Sequence, residues 1–488
     1  MRTSHSCLPK ILQNSDYRHA FQPGDQDLYV PADAVNPGYD GIRSSGLLNI
    51  RFPMKTTLLN ITRPCRIPAP PMDQFNYALQ AVGDQTMHMV IAFEDQIDEK
   101  RLRAAAAAVL ADIPVLASRF VECDAPYWEC LPGPDYDTLV RIHYSTDPDR
   151  DLPTILTIPV DPAAGPQICI HLIRTKSNDT ICITVHHAAM DARGLLACTR
   201  MLAGHYRNAD CTNPPLAETT DRSLNAVLSQ FPESVHICDP PAPEDPPAGW
   251  GFPAGPGGGS THDFVVRTLP ASSLDAIKRV GKLQEATVND VLLAAYFMAL
   301  CTTIRPPPDR KVPIMVSIDL RRYLNDSPPL SLKDTICNQS VAFAVHMKPV
   351  LQSREEMIAC ARDAMLEHMT HNPGIASAID LESFGYTGFT RICERVQTMK
   401  STYDTRHANP PFLGNIGIIP EEVVAFSQNL PVTNAFVIGI VIDPPGVALG
   451  VTTFRDRLTL SIGYGSPAIK HAAMEQFMDT LVSYLPVA

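Results

Sequence analysis

The sequence has little positive charge. Its 40 lysines and arginines face 52 aspartates and glutamates, a net charge of −12 and the wrong sign for non-specific nucleic-acid binding. Charged residues make up only 19% of the chain and hydrophobic ones 45%, the balance of a globular protein with a large core. None of the 13 cysteines belongs to a Cys-x-x-Cys pair or a zinc-like Cys/His block. Cys169, Cys182 and Cys301 sit inside apolar runs, as free buried thiols do in a reducing compartment, and an odd count fits poorly with a fully paired secreted framework. No stretch approaches the roughly 18 uninterrupted apolar residues of a membrane span, and no apolar core of signal-peptide type opens the chain. The glycine run Gly257-Gly258-Gly259 lacks the lysine and the strand–helix frame of a phosphate loop. Repeats are absent. Together these absences set the expectation of a cytoplasmic protein without a transmembrane segment or nucleic-acid partner, for which peripheral membrane contact stays open.

What is present centres on Ile181–Gly194. Ile181, Ile183 and Val185 are β-branched and alternate with Cys182 and Thr184, the period of a strand. Beyond Asp191 the period lengthens, and Leu195, Leu196, Cys198, Leu202, His205 and Tyr206 cluster towards one side of a helix. His186, His187 and Asp191 therefore fall at a strand-to-helix junction, where a side chain is held rigidly and can face a cleft, as a general base requires. Alternation puts His187 on the face of Val185 and Ile183, and His186 on the other face. Adjacent strand residues cannot easily chelate one ion, which argues against a metal site. Asp191 has two roles open to it: orienting an imidazole directly, or bracing the loop through an arginine.

The segment His186-His187-Ala188-Ala189-Met190-Asp191 resembles the His-His-x-x-x-Asp-Gly motif of the chloramphenicol acetyltransferase-like superfamily, which includes condensation domains, wax ester synthases and alcohol acetyltransferases. Ala192 stands where the motif has its glycine, and the nearest glycine is Gly194. Weaker likenesses follow in order. Ala286–Ala295 is similar to a family helix opened by the capping box Thr287–Asp290. Val312–Asp319 with Leu320 and Arg321 looks like the strand ending in Asp-Leu-Arg. Ile336–Gln339 and Asn415-Ile416-Gly417 resemble later family segments. The resemblance spans about residues 60–485. It implies a mixed α/β fold of two pseudo-symmetric lobes with a channel between them, and pairing of Arg321 with Asp191.

The expected organisation is an irregular extension over 1–53, an N-terminal lobe over 54–235 carrying the motif, a Pro/Gly-rich linker over 236–260 and a C-terminal lobe over 261–488. Met54 is a candidate alternative start. By resemblance, the chain is a stand-alone acyltransferase. Its donor is an acyl thioester of CoA or of a carrier protein's phosphopantetheine, a substrate rather than a bound cofactor, and its acceptor is a hydroxyl or amine on a small molecule or lipid. His187 is the implied base, with His186 and Asp191 beside it and Arg321 and Gly194 supporting the loop. Two other classes stay open: a silent member that binds carriers or partners, and a metal-dependent hydrolase.

Overall fold

Alternating β-branched residues form the strands expected of them, and the strands pair into two large sheets. The computed structural model describes residues 66–132, 136–208, 221–231, 246–256, 261–324, 335–349 and 353–486, all inside one compact unit, Asn60–Ala488. The expectations for 1–53, 232–245 and 257–260 lie outside the described residues.

The first strands are β1 (Arg66–Pro68), β2 (Thr86–Phe93), β3 (Ser118–Val121), β4 (Tyr127–Cys130), β5 (Val140–Tyr144), β6 (Ile168–Arg174) and β7 (Asp179–His186). They continue with β8 (Thr261–Thr268), β9 (Val312–Asp319), β10 (Ser340–Met347), β11 (Phe412–Ile419), β12 (Val432–Ile438), β13 (Ala448–Phe454) and β14 (Arg457–Ser466). A five-stranded sheet runs β12-β2-β7-β6-β5, a six-stranded sheet β10-β9-β11-β13-β14-β8, and β1, β4 and β3 make a small third sheet. Both large sheets mix parallel and antiparallel pairs, so the fold is mixed α/β.

On one face of β7, Ile181, Ile183 and Val185 join Met89 and Ile91 of β2 in a core that includes Leu102 and Val109 of the helix Glu99–Asp112 and Leu195 and Leu202 of the helix Ala192–Arg207. A second core lies on the six-stranded sheet. At its centre is the helix Val288–Ile304, buried around its whole circumference from Asp290 to Cys301 and opened by the expected capping box of Thr287 and Asp290. Cys169, Cys182 and Cys301 are buried free thiols. Among the described residues no single helix is long and apolar enough to cross a membrane.

β12 comes from the C-terminal half of the chain, yet it pairs antiparallel with β2 in the five-stranded sheet. Ala435 and Val437 enter the first core while Phe436 and Ile438 enter an apolar cluster with Val90 and Phe264. With both faces apolar, β12 carries no periodicity that says which sheet it joins. The interval 236–260 is not merely a spacer, because Trp250 and Phe252 are buried in the second core and the Trp250 indole donates to the Pro313 carbonyl at 2.7 Å. The stretch Ile67–Phe75 forms β1 and then a helix, Pro71–Ala78, in which Pro71 occupies the first turn where a missing N–H leaves no helical bond unmade.

The other face of the five-stranded sheet is unusually rich in histidine. His88 contacts the Thr184 hydroxyl at 3.1 Å, and His171 contacts His143 at 3.0 Å. Burial pushes His88 down to about 4 against the opposing charge of Asp84. Burial, with His143 and Arg141 nearby, pushes His171 to about 3, and burial beside His187 pushes His186 to about 3. Unfolded imidazoles titrate near 6.5, so below that pH the unfolded chain binds protons that the native chain refuses. The stability due to these groups is complete above the unfolded value and is lost as pH falls towards the folded ones. We therefore expect the urea midpoint to fall steadily between pH 7 and pH 5, and His171→Gln to flatten the slope. A midpoint constant over that interval would refute the assignment.

Candidate active site

β7 ends at His186, and the chain turns through His187, Ala188 and Ala189 before Asp191 caps the helix Ala192–Arg207. Asp191 sits at the helix N-cap and its Oδ1 accepts from the Gly194 N–H at 2.8 Å, satisfying one of the free amides of the first turn. Ala192 is then the first helical residue and is not among those with positive φ, so the position where the family motif has glycine requires none. Gly194 is needed for closeness rather than for φ. A Cβ there would stand 2.9 Å from the Met190 Cβ and 3.2 Å from the Cys337 carbonyl.

The second carboxylate oxygen of Asp191 accepts from Arg321 Nη1 at 2.8 Å and from the Gln339 N–H at 2.7 Å. Both partners of the ion pair are buried, at 1% and 2% exposure. Arg321 Nη1 also reaches Asp319, and Nη2 donates to the carbonyls of Thr335 and Cys337. Burial raises the Asp191 pKa, but Arg321 and the amides of Gly194 and Gln339 outweigh it and hold the carboxyl below its ordinary value. Of the two roles open to Asp191, the geometry gives bracing through an arginine. Its oxygens are taken up by Arg321 and by backbone amides.

A second buried pair, which the sequence reading missed, holds the turn from the other side. Arg222 Nε donates to Asp73 Oδ2 at 2.9 Å, and its other nitrogens reach the carbonyls of Ala189 at 2.7 Å and Ile336 at 2.8 Å. The Trp128 indole donates to the same carboxylate oxygen at 2.9 Å, and Asn338 bridges Asp73 and the Ala188 carbonyl. Burial raises the Asp73 pKa despite Arg222. The one signal for Asp73 was an acidic residue in the first turn of a proline-started helix. Arg222 lies in a polar stretch with no periodicity to mark it. Asn338, within the segment Ile336–Gln339 that resembles a family segment, is part of this network.

The two histidines differ. His186 is buried, and its Nδ1 accepts from the Ala188 N–H at 3.1 Å, so that nitrogen is unprotonated and braces the turn. His187 is half-buried, with its backbone N–H on the Gln85 carbonyl at 2.8 Å. Its Nδ1 is buried without a well-formed hydrogen bond. Burial lowers the pKa of His187. The charge of Asp191, its own carbonyl and the Asn338 side chain oppose that shift. The turn thus presents a neutral imidazole on a backbone clamped by two ion pairs. His186, His187, Asp191, Arg321 and Gly194 all come together here, and residues of both large sheets meet at the turn. Among the described residues, no group of three or more His, Cys, Asp or Glu side chains is arranged to hold a metal ion.

No protein-family model matches the sequence, and no curated protein matches it. Solved structures do. The trichothecene 15-O-acetyltransferase from Fusarium sporotrichioides superposes with a TM-score of 0.65 at 12% identity, over 87% of this chain and 95% of its own. The first condensation domain of the CDA synthetase gives 0.60 at 16% identity, over 87% and 98%. Polyketide synthase associated protein 5 from Mycobacterium tuberculosis gives 0.58 at 15%, over 86% and 98%. The chain has the fold shared by acetyltransferases and condensation domains, the chloramphenicol acetyltransferase-like fold expected from its motif.

Removing one partner of a buried pair strands the other charge and costs about 3–5 kcal/mol. Asp191→Asn should therefore lower the thermal midpoint markedly, and Arg321→Met in addition should add less than its own separate effect. Wild-type stability in Asp191→Asn would show that the pair does not hold the turn.

Proposed function

We propose that the protein is an acyltransferase that moves an acyl group from a thioester to a hydroxyl or amine, with His187 as the general base. The observation that carries this reading is the half-buried, neutral His187 on a turn that two buried Asp–Arg pairs fix, within a fold that acetyltransferases and condensation domains share. A base must be unprotonated at working pH and well positioned, and the lowered pKa of His187 and the clamped backbone beneath it support that role.

In the proposed reaction Nδ1 is the buried nitrogen, which leaves Nε2 to act. Nε2 takes the proton of the acceptor as its oxygen or nitrogen attacks the thioester carbonyl. The new C–O or C–N bond forms, the C–S bond breaks, and the imidazolium returns the proton to the departing thiolate. No covalent enzyme intermediate and no resident cofactor take part. Holding two substrates against one imidazole supplies much of the rate. The donor is an acyl group on CoA or on a carrier protein's phosphopantetheine, and the acceptor a small molecule or lipid. His186, Asp191, Arg321 and Gly194 act as positioning residues. Ala192 gives no support to a silent member, because its backbone is that of an ordinary first helical residue.

His187→Ala should reduce thioester-dependent transfer by about 10²–10⁴-fold while leaving the thermal midpoint and donor binding near wild type. His186→Ala should instead lower the midpoint, through loss of its bond to Ala188. With the His187 pKa held below 6.5 by burial, the acid limb of kcat/KM should lie below pH 6.5 and the rate should be flat above it. Full turnover by a well-folded His187→Ala protein would remove the histidine from the chemistry.

A further inference from the structure

Of the two imidazoles in the turn after β7, one has a tautomer fixed by its own bonds. His186 Nδ1 accepts from the Ala188 N–H at 3.1 Å, and burial holds its pKa down to about 3, so the ring is neutral and its proton is on Nε2. His187 has no such bond. Its Nδ1 is buried and unpartnered, so the tautomer is set by what stands next to that atom. The choice matters to the proposed chemistry, because only a neutral ring protonated on Nδ1 offers a lone pair at Nε2.

The neighbouring side chain is that of Asn338, fully buried on the segment between β9 and β10. Its partners fix which way the amide is turned. One end reaches the Ala188 carbonyl at 2.9 Å and Asp73 Oδ1 at 3.3 Å. A backbone carbonyl only accepts, so the end that meets it is the NH₂. Asn338 Oδ1 is thereby the free end, and it is buried with no donor. Ala188 directly follows His187, so the amide that holds one carbonyl of the turn has its spare acceptor beside the ring. The Asn338 side chain is among the groups that favour the protonated imidazole of His187.

We propose that Asn338 Oδ1 accepts from His187 Nδ1–H. Asn338 is then a positioning residue for the base, and it sets adjacent histidines in opposite tautomers, Nε2–H at His186 and Nδ1–H at His187. Two buried atoms without partners, a carbonyl oxygen and a ring nitrogen that can donate, satisfy each other. The other tautomer leaves both as lone pairs with no hydrogen between them, each carrying its desolvation cost. A neutral acceptor also suits a base that must release its proton. A carboxylate at Nδ1 would hold the imidazolium, and the carboxylate of Asp191 is committed to Arg321 and the amides of Gly194 and Gln339. The amide is itself held from behind, since Arg222 and Trp128 fix Asp73 and Asp73 receives Asn338. The inference rests on the acyltransferase reading for the use of the Nε2 lone pair; the tautomer does not depend on it.

Nitrogen NMR of the full chain labelled with ¹⁵N-histidine tests this, with His186→Ala and His187→Ala assigning the two rings. Near neutral pH the His187 spectrum should show a protonated Nδ1 and a bare Nε2, and the His186 spectrum the reverse. Asn338→Leu, similar in size, should move the His187 signals to those of a ring exchanging between tautomers and leave the His186 signals in place. Its kcat should fall about tenfold, the net worth of one hydrogen bond, with KM unchanged. Asn338→Asp puts a carboxylate at the acceptor position, so it should shift the Nδ1–H proton downfield and raise the pH at which His187 titrates. An unchanged His187 spectrum in Asn338→Asp would put the Asn338 oxygen out of reach of the ring and overturn the proposal, even where the leucine variant fails to fold. Nε2–H at His187 in the wild type, or an Nδ1–H that survives in a folded Asn338→Leu protein because the His187 carbonyl holds it, would also overturn it, whatever the protein transfers. An Nδ1–H that Asn338→Leu removes, in a protein that transfers no acyl group to any acceptor, would leave the positioning standing and refute the acyltransferase reading.

Discussion

The arrangement around His187 depends on one carboxylate. Asp191 caps a helix with one oxygen and with the other joins Arg321 and the Gln339 amide, so a single side chain connects the turn after β7 to the segments that follow β9 and precede β10. Those strands belong to different sheets. Burying such a pair brings little net stability over an apolar packing of the same shape, and its usual gain is geometric specificity, since the charges are satisfied in only one register. Here that register fixes where His187 stands relative to the six-stranded sheet.

Asp73 and Arg222 repeat the device on the other flank. Arg222 occupies the carbonyls of Ala189 and Ile336, Asn338 occupies that of Ala188, and Trp128 shares the Asp73 carboxylate with Arg222. A turn between a buried strand and a buried helix has backbone groups that water does not reach, and each needs a partner. Side chains from distant parts of the chain supply those partners. The carbonyls of Ala188 and Ala189 are thereby satisfied, while His187 Nδ1 is left without a hydrogen bond.

The same contrast runs through the six-stranded sheet. Its helix-facing side is filled by Leu413, Leu449, Val451 and Leu460 without interruption. Its opposite side carries glycine and serine, with hydroxyls that find no partner in the protein. The small residues let β12 and the residues after it pack closely over that side.

Local pattern was enough to read much of this from the sequence. The period-2 run through Val185, the capping box at Thr287 and Asp290, the apolar strand Val312–Asp319 and the spacing from His186 to Asp191 are properties of neighbours in the chain. Backbone geometry converts each directly into an element or a junction. The mixed α/β fold shared with acetyltransferases and condensation domains followed from the motif, and the pairing of Asp191 with Arg321 from the likeness of the Asp-Leu-Arg segment. Tertiary structure decided the rest. β12 is apolar on both faces and so names no partner, and only the free edge of β2 placed it in the first sheet. Asp73 and Arg222 are 149 residues apart and unremarkable locally. Their burial, and therefore their need for each other, exists only once the chain has closed around the turn. The nearness of Ser317, Gly414, Gly450 and Ser461 is likewise invisible along the sequence, because they come from four separate strands and become neighbours only in the sheet.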